Sequence, residues 1–181
     1  MVNAQLGVAP YDVLVTGLTE VTGLPFGVIS ILLASVWIGI GCLLGVRPGV
    51  GTVVLTLAVG PLFDLGFAIA PEPDALLLRA PMFLGGAVIT GLAVALLISA
   101  RLGSPGFEMA MLGLSSRGLS LRWVRTGLEF LAFSIGWALG GQVGIGTVVF
   151  ALAFGHLLHG WLTVLGESTT PDEVEDAAAS V

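Results

Sequence analysis

Lysine is absent from this 181-residue sequence, cysteine occurs once, and charged residues of all kinds make up only 10% of it. A soluble domain uses roughly 25% charged residues to cover its surface. The basic residues are all arginine: Arg47, Arg79, Arg101, Arg117, Arg122 and Arg125. Nowhere do they form a dense basic run with interleaved aromatics, so nucleic acid is not an expected partner. The lone Cys42 sits in an apolar run, which excludes an intrachain disulfide, a CxxC pair and a cysteine zinc site. No HExxH, dinucleotide fingerprint or Ser–His–Asp set is present, so the expectation is neither an enzyme nor a cofactor protein. Residues 1–5 carry no basic n-region leading into an apolar core, so no cleavable signal peptide is expected.

What fills the chain instead is apolar: 56% of it is hydrophobic, and its mean hydropathy is +1.05. A bilayer core of about 30 Å takes roughly 20 apolar residues in a helix. Five segments qualify, 26–44, 52–70, 79–100, 121–139 and 147–165. They are apolar on every side, and a helix of that kind needs lipid or a bundle interior around it. Helix-ending clusters separate them, such as Val46-Arg47-Pro48-Gly49-Val50-Gly51, Pro71-Glu72-Pro73-Asp74 and Gly140-Gly141-Gln142-Val143-Gly144. Two further stretches, 11–22 and 107–117, are too short to span and read as interfacial or re-entrant helices introduced by Pro10 and Pro105. The expected fold is therefore an all-α membrane protein of about five transmembrane helices plus two short helices. One transmembrane domain covers 1–166, and an acidic tail over 167–181, with Glu167, Asp172, Glu173, Glu175 and Asp176, is expected to be disordered.

Self-comparison divides the domain in two. Gly-Val-Gly-Thr-Val-Val at 49–54 recurs as Gly-Ile-Gly-Thr-Val-Val at 144–149, an offset of 95 residues. At that offset Gly41 and Gly45 match Gly136 and Gly140, and Leu57, Ala58, Gly60 and Leu62 match Leu152, Ala153, Gly155 and Leu157. At an offset of 96, Leu6-Gly7 matches Leu102-Gly103 and Gly17-Leu18 matches Gly113-Leu114. The repeats run over 1–75 and 76–166. The second has a spanning segment ahead of it, 79–100, whose counterpart would precede Met1. The expectation is a true start upstream rather than a lost helix.

Charge gives the two units opposite orientations. Region 100–125 holds Arg101, Arg117, Arg122 and Arg125 against Glu108, whereas region 1–25 holds only Asp12 and Glu20. Arginine-rich loops stay in the cytoplasm. With short helices that do not cross, Arg47 and region 100–125 fall inside, and 1–25 and 140–146 outside. Arg79, on the outer side beside Glu72 and Asp74, runs against this assignment.

The stretch Leu6-Gly7-Val8-Ala9-Pro10-Tyr11-Asp12-Val13-Leu14 resembles the LG-x-x-P-W-D-x-L signature of the YczE/YitT-type bacterial membrane protein family. Gly17-Leu18, Gly23-Leu24-Pro25-Phe26-Gly27, Leu44-Gly45-Val46-Arg47-Pro48-Gly49-Val50-Gly51-Thr52 and the second-half stretch 148–155 are similar to that pattern too. The resemblance implies a duplicated helical bundle in a bacterial inner membrane and says little about activity. Two departures stand out: Tyr11 replaces the usual Trp, and the pattern's first helix is missing.

Few residues could carry chemistry. Asp12 and Glu108 open the two short helices and could bind a cation or exchange a proton. The plainer reading is that both acids face the positive ends of their helices. Asp64 lies well inside a spanning segment and at the 95 offset matches His159, which makes the two a proton-relay candidate. Polar packing among Asp64, His156 and His159 is the plainer alternative, and two histidines make no metal site. Glu129, four residues after Arg125, reads as its ion-pair partner. Thr52 and Thr147 follow glycine breaks whose helix N-termini could hold an anion, against the plainer reading of a Thr N-cap. Gly41, Gly45, Gly136 and Gly140 form GxxxG pairs expected at the central helix crossing. Trp37, Trp123, Trp137 and Trp161 fit interfacial anchors.

The function expected on these grounds is that of an inner-membrane transporter-like protein for a small solute, with its site between the repeats. A non-transporting membrane partner or regulatory protein is the alternative. The partners expected are the lipid bilayer and a small solute or coupling cation. A homo-oligomer is compatible with the sequence but not required by it.

Overall fold

The computed structural model describes residues 6–69, 76–100 and 105–166. Among them are seven helices and no strand: α1 Pro10–Thr22, α2 Phe26–Leu43, α3 Val50–Ile69, α4 Leu76–Ala100, α5 Gly106–Ser115, α6 Leu121–Ala138 and α7 Ile145–Val164. The tail 167–181 and the Pro71-Glu72-Pro73-Asp74 break lie outside the described residues.

Local chemistry sets the boundaries. Pro10 opens α1, where its missing N–H costs nothing. Gly23 closes α1 at φ 70°, a left-handed value that only glycine adopts cheaply, and its amide donates to Thr19 O at 2.9 Å. The glycine breaks hold a threonine, though not at the N-cap. Thr52 and Thr147 sit in the first turns of α3 and α7, and their Oγ1 atoms accept from the amides of Gly49 (3.3 Å) and Gly144 (3.4 Å).

Three helices, α2, α3 and α4, are long and apolar enough to cross a membrane. A fourth, α7, is bent by 42° between Phe154 and His156, as either one bent span or a re-entrant segment. The remaining expected span, α6, carries Arg122, Arg125 and Glu129 along its first half and is less apolar than the others.

Burial is inverted relative to a soluble bundle. The short α1 buries Val13 through Gly17 in succession, and α5 buries Met109, Ala110 and Met111. The spans α2 and α3 leave Leu32, Val36, Val54, Leu57 and Leu65 exposed. Such apolar exteriors need lipid as their solvent, and the polar-tolerant interior belongs to the short helices.

The packing follows one scheme. Helix α1 lies on α6, α5 on α2, α3 on α2 and α4 on α7. Gly136 takes the backbone of Val13 and Leu14 from α1, and Gly41 takes Met109 from α5. Gly17 meets Leu139, and Gly113 meets Leu44. This corrects the expected glycine crossing. Gly41 and Gly136 receive the short helices instead of each other, and Gly45 (φ 95°) and Gly140 (φ 86°) are left-handed ends beyond their helices.

Candidate solute site between the short helices

The N-terminal turns of α1 and α5 meet. The Tyr11 and Phe107 rings lie 5.0 Å apart at 52°, and Trp37 of α2 stands edge-on to Phe107 at 5.3 Å. Trp37 thus packs against the start of α5, while Trp123 and Trp137 are exposed. Trp161 is fixed by donation from Nε1 to Val88 O at 3.2 Å.

Beside the ring contact lies a cavity of about 620 Å³, to which every one of the seven helices contributes. Its polar lining includes Asp12 and Glu108, one residue beyond the touching rings, with Ser30, Thr56 and Thr90 from α2, α3 and α4. Helix α6 adds Arg125 and Glu129, paired at 3.1 Å between Nε and Oε1. The expected ion pair is therefore present, and it borders the cavity. Most of the remaining wall is apolar, with Phe63, Phe150 and Phe154 prominent.

Two short, non-spanning helices carry the carboxyls. Burial pushes Asp12 up to about 6 from its ordinary 3.8. Burial also raises Glu108, against the opposing pull of its own backbone amide and of Arg125. The N-cap residues Ala9 and Pro105 make no side-chain cap bond, so these helix ends rest on the acids' electrostatic preference and, for Glu108, on its hydrogen bond with its own backbone amide.

Other sequence candidates are engaged elsewhere. Asp64 Oδ1 accepts the Gly27 amide at 2.8 Å, closing the start of α2 from α3. His159 and His156 are exposed on α7, and Asp64 and His159 do not pair. The relay candidate is not assembled in this arrangement. Thr147 Oγ1 also accepts the buried Val8 amide at 3.2 Å, tying the segment before α1 to α7. Thr16 does the same one turn along: its hydroxyl donates into its own helix and accepts the Gln142 amide at 3.0 Å. Among the described residues no group of three or more His, Cys, Asp or Glu could hold a metal ion.

The chain matches the model of a family described as "Family of unknown function (DUF6198)" over residues 1–162. It belongs to that family. A Haemophilus influenzae protein described as uncharacterized is 30% identical over 91% of this chain and 76% of its own length. The Bacillus subtilis "Uncharacterized membrane protein YczE" is 29% identical over 84% of this chain and 72% of its own. No solved structure matches the chain. The resemblance read from Leu6–Leu14 and the glycine motifs is thus correct, and the DUF6198 chain is a helical membrane protein. In this family member the sequence missed Ser30, Thr56, Thr90 and the phenylalanines of the wall. Each is unremarkable in its own helix and acquires a role only when distant segments converge.

Proposed function

We propose that this chain is a transporter-like protein of the bacterial inner membrane, moving a small solute through a site between its two sequence units. The observation that carries the reading is the 620 Å³ cavity, with acids on the tips of two short helices and walls from all seven elements. Pockets of about 300–1,000 Å³ suit small organic ligands, and helix tips meeting inside a membrane are a recurrent transporter device.

The packing supports an inverted repeat. The C-terminal half of α2 lies beside α5, which leads into the start of α6. The C-terminal half of α6 lies beside α1, which leads into the start of α2. On this reading α2 and α6 run in opposite directions. At the 96 offset Tyr11 matches Phe107 and Asp12 matches Glu108. Matched residues can touch only near the axis relating the units, which supports a site on that axis. In this reading α6 and the bent α7 complete five spans, Arg47 and Arg117 lie in the cytoplasm, and no enzymatic step is involved.

Two experiments test it. In a Cys42→Ala background, Thr22→Cys and Ser116→Cys should label from opposite sides of the membrane. Labelling from one side would mean parallel units and remove the basis for alternating access. In reconstituted vesicles, solute flux should fall at least tenfold in a folded Asp12→Asn variant. A stable, stoichiometric protein partner with no flux of any solute would favour the regulatory alternative.

A further inference from the structure

The charges of the cavity do not balance. Its one basic lining residue among those described, Arg125, is already held by Glu129 on the same helix. Asp12 and Glu108 line the same space, and beyond Arg125, which also draws on Glu108, the described lining holds no basic residue for them, only the hydroxyls of Tyr11, Ser30, Thr56 and Thr90. An ionised carboxylate withdrawn from water without a partner is costly. The pair must therefore carry protons or meet a positive charge brought in from outside.

The rest of the wall narrows what that charge can belong to. A bare metal cation requires several oxygen ligands at short range. Here the oxygens beyond the acids are the scattered hydroxyls of Ser30, Thr56 and Thr90, one from each of three helices. Two of these hydroxyls are turned back on their own helices: Thr56 donates to Thr52 O at 2.8 Å and Thr90 to Gly86 O at 2.8 Å. By contrast, aromatic rings approach from four helices: Tyr11, Phe63, Phe107 and the stacked Phe150–Phe154 pair, whose centroids are 4.7 Å apart. Ring faces attract an organic cation and tolerate its apolar body. A volume of about 620 Å³ holds such an ion with room to spare.

We propose that the cavity binds a small organic cation, an ammonium or phosphonium with an apolar body, whose charge sits between Asp12 and Glu108. The assignment rests on the reading of this cavity as the solute site and adds the chemical class of the solute.

The test uses two ions of one shape and opposite sign, tetraphenylphosphonium and tetraphenylborate. Each is titrated against the full chain in lipid nanodiscs, with empty nanodiscs as the partition baseline. The phosphonium should bind saturably at one per chain, and the borate should show no saturable binding. Because this comparison uses the unaltered protein, it does not depend on a variant folding. In the Asp12→Asn/Glu108→Gln protein, phosphonium affinity should fall at least tenfold. Saturable borate binding of equal strength, no saturable phosphonium binding, or affinity indifferent to the double substitution would each overturn the assignment. Cation-selective binding without flux would leave the assignment standing and sink the transporter reading. Flux of a neutral or anionic solute with no phosphonium binding would do the reverse.

Discussion

At the scale of single residues, the close approaches are made by glycines, and their consequences differ by position. A Cβ on Gly136 would run into the backbone of Val13 and Leu14, whereas one on Gly39 would meet nothing within 4 Å. Backbone cannot yield as a side chain can, so Gly136→Ala should destabilise by ~1–3 kcal/mol, the usual cost of overpacking. Gly39→Ala should melt at or above the parent temperature. Thermal unfolding in detergent compares the two, and equal melting would refute the α1–α6 contact. Thr147 offers a second case. Its Oγ1 receives the amides of Val8 and Gly144. Thr147→Val keeps the shape and orphans a buried donor, at a cost of ~1–3 kcal/mol. Thr147→Ser should restore most of it, and a Val variant as stable as the parent would mean the hydroxyl is not structural. Both glycine and threonine were legible as repeated positions, because matched spacing survives in the sequence. Their partners were not, since Val8 and Thr147 lie 139 residues apart.

At the scale of elements, the sequence placed all seven helices within a few residues, because proline, glycine and apolar length act locally. Pairing between elements was harder to read. Asp64 and His159 occupy matched positions, and matching was mistaken for proximity. On the proposed inverted-repeat reading, equivalent residues would touch only beside the axis relating the units, and Tyr11 and Phe107 are in contact. Far from it they are kept apart, and Asp64 instead closes the amide end of α2 through Gly27. The consequence is testable. Asp64→Asn retains an acceptor and, on the transporter reading, should leave solute flux within twofold of the parent. Asp64→Ala removes the cap, which costs roughly 0.5–2 kcal/mol for such groups, and should lower the melting temperature while leaving residual flux in the folded fraction. A tenfold flux loss in a stably folded Asp64→Asn protein would return Asp64 to the transport path.

At the scale of the whole molecule, the proposed cation site would couple protonation to occupancy. Asp12 is held at about 6 by burial, above its ordinary 3.8, so the empty protein binds more protons folded than unfolded between those values. Its contribution to stability is therefore full below the lower value and is lost as pH rises through about 6. On the proposed assignment, a cation in the cavity would reverse the preference, because it needs the ionised carboxylate. Glu108 from α5 and the Arg125–Glu129 pair from α6 share the cavity with Asp12, while His156 and His159 stand exposed on α7, outside its lining. Phosphonium affinity should accordingly climb between pH 5 and 7, as the melting temperature of the empty protein declines over the same interval. Opposite slopes are the signature of one buried acid serving both states, and Asp12→Asn should flatten both curves together. If affinity rises with pH but the variant retains the same profile, the titrating group is Glu108, and the corresponding Glu108→Gln protein should flatten instead.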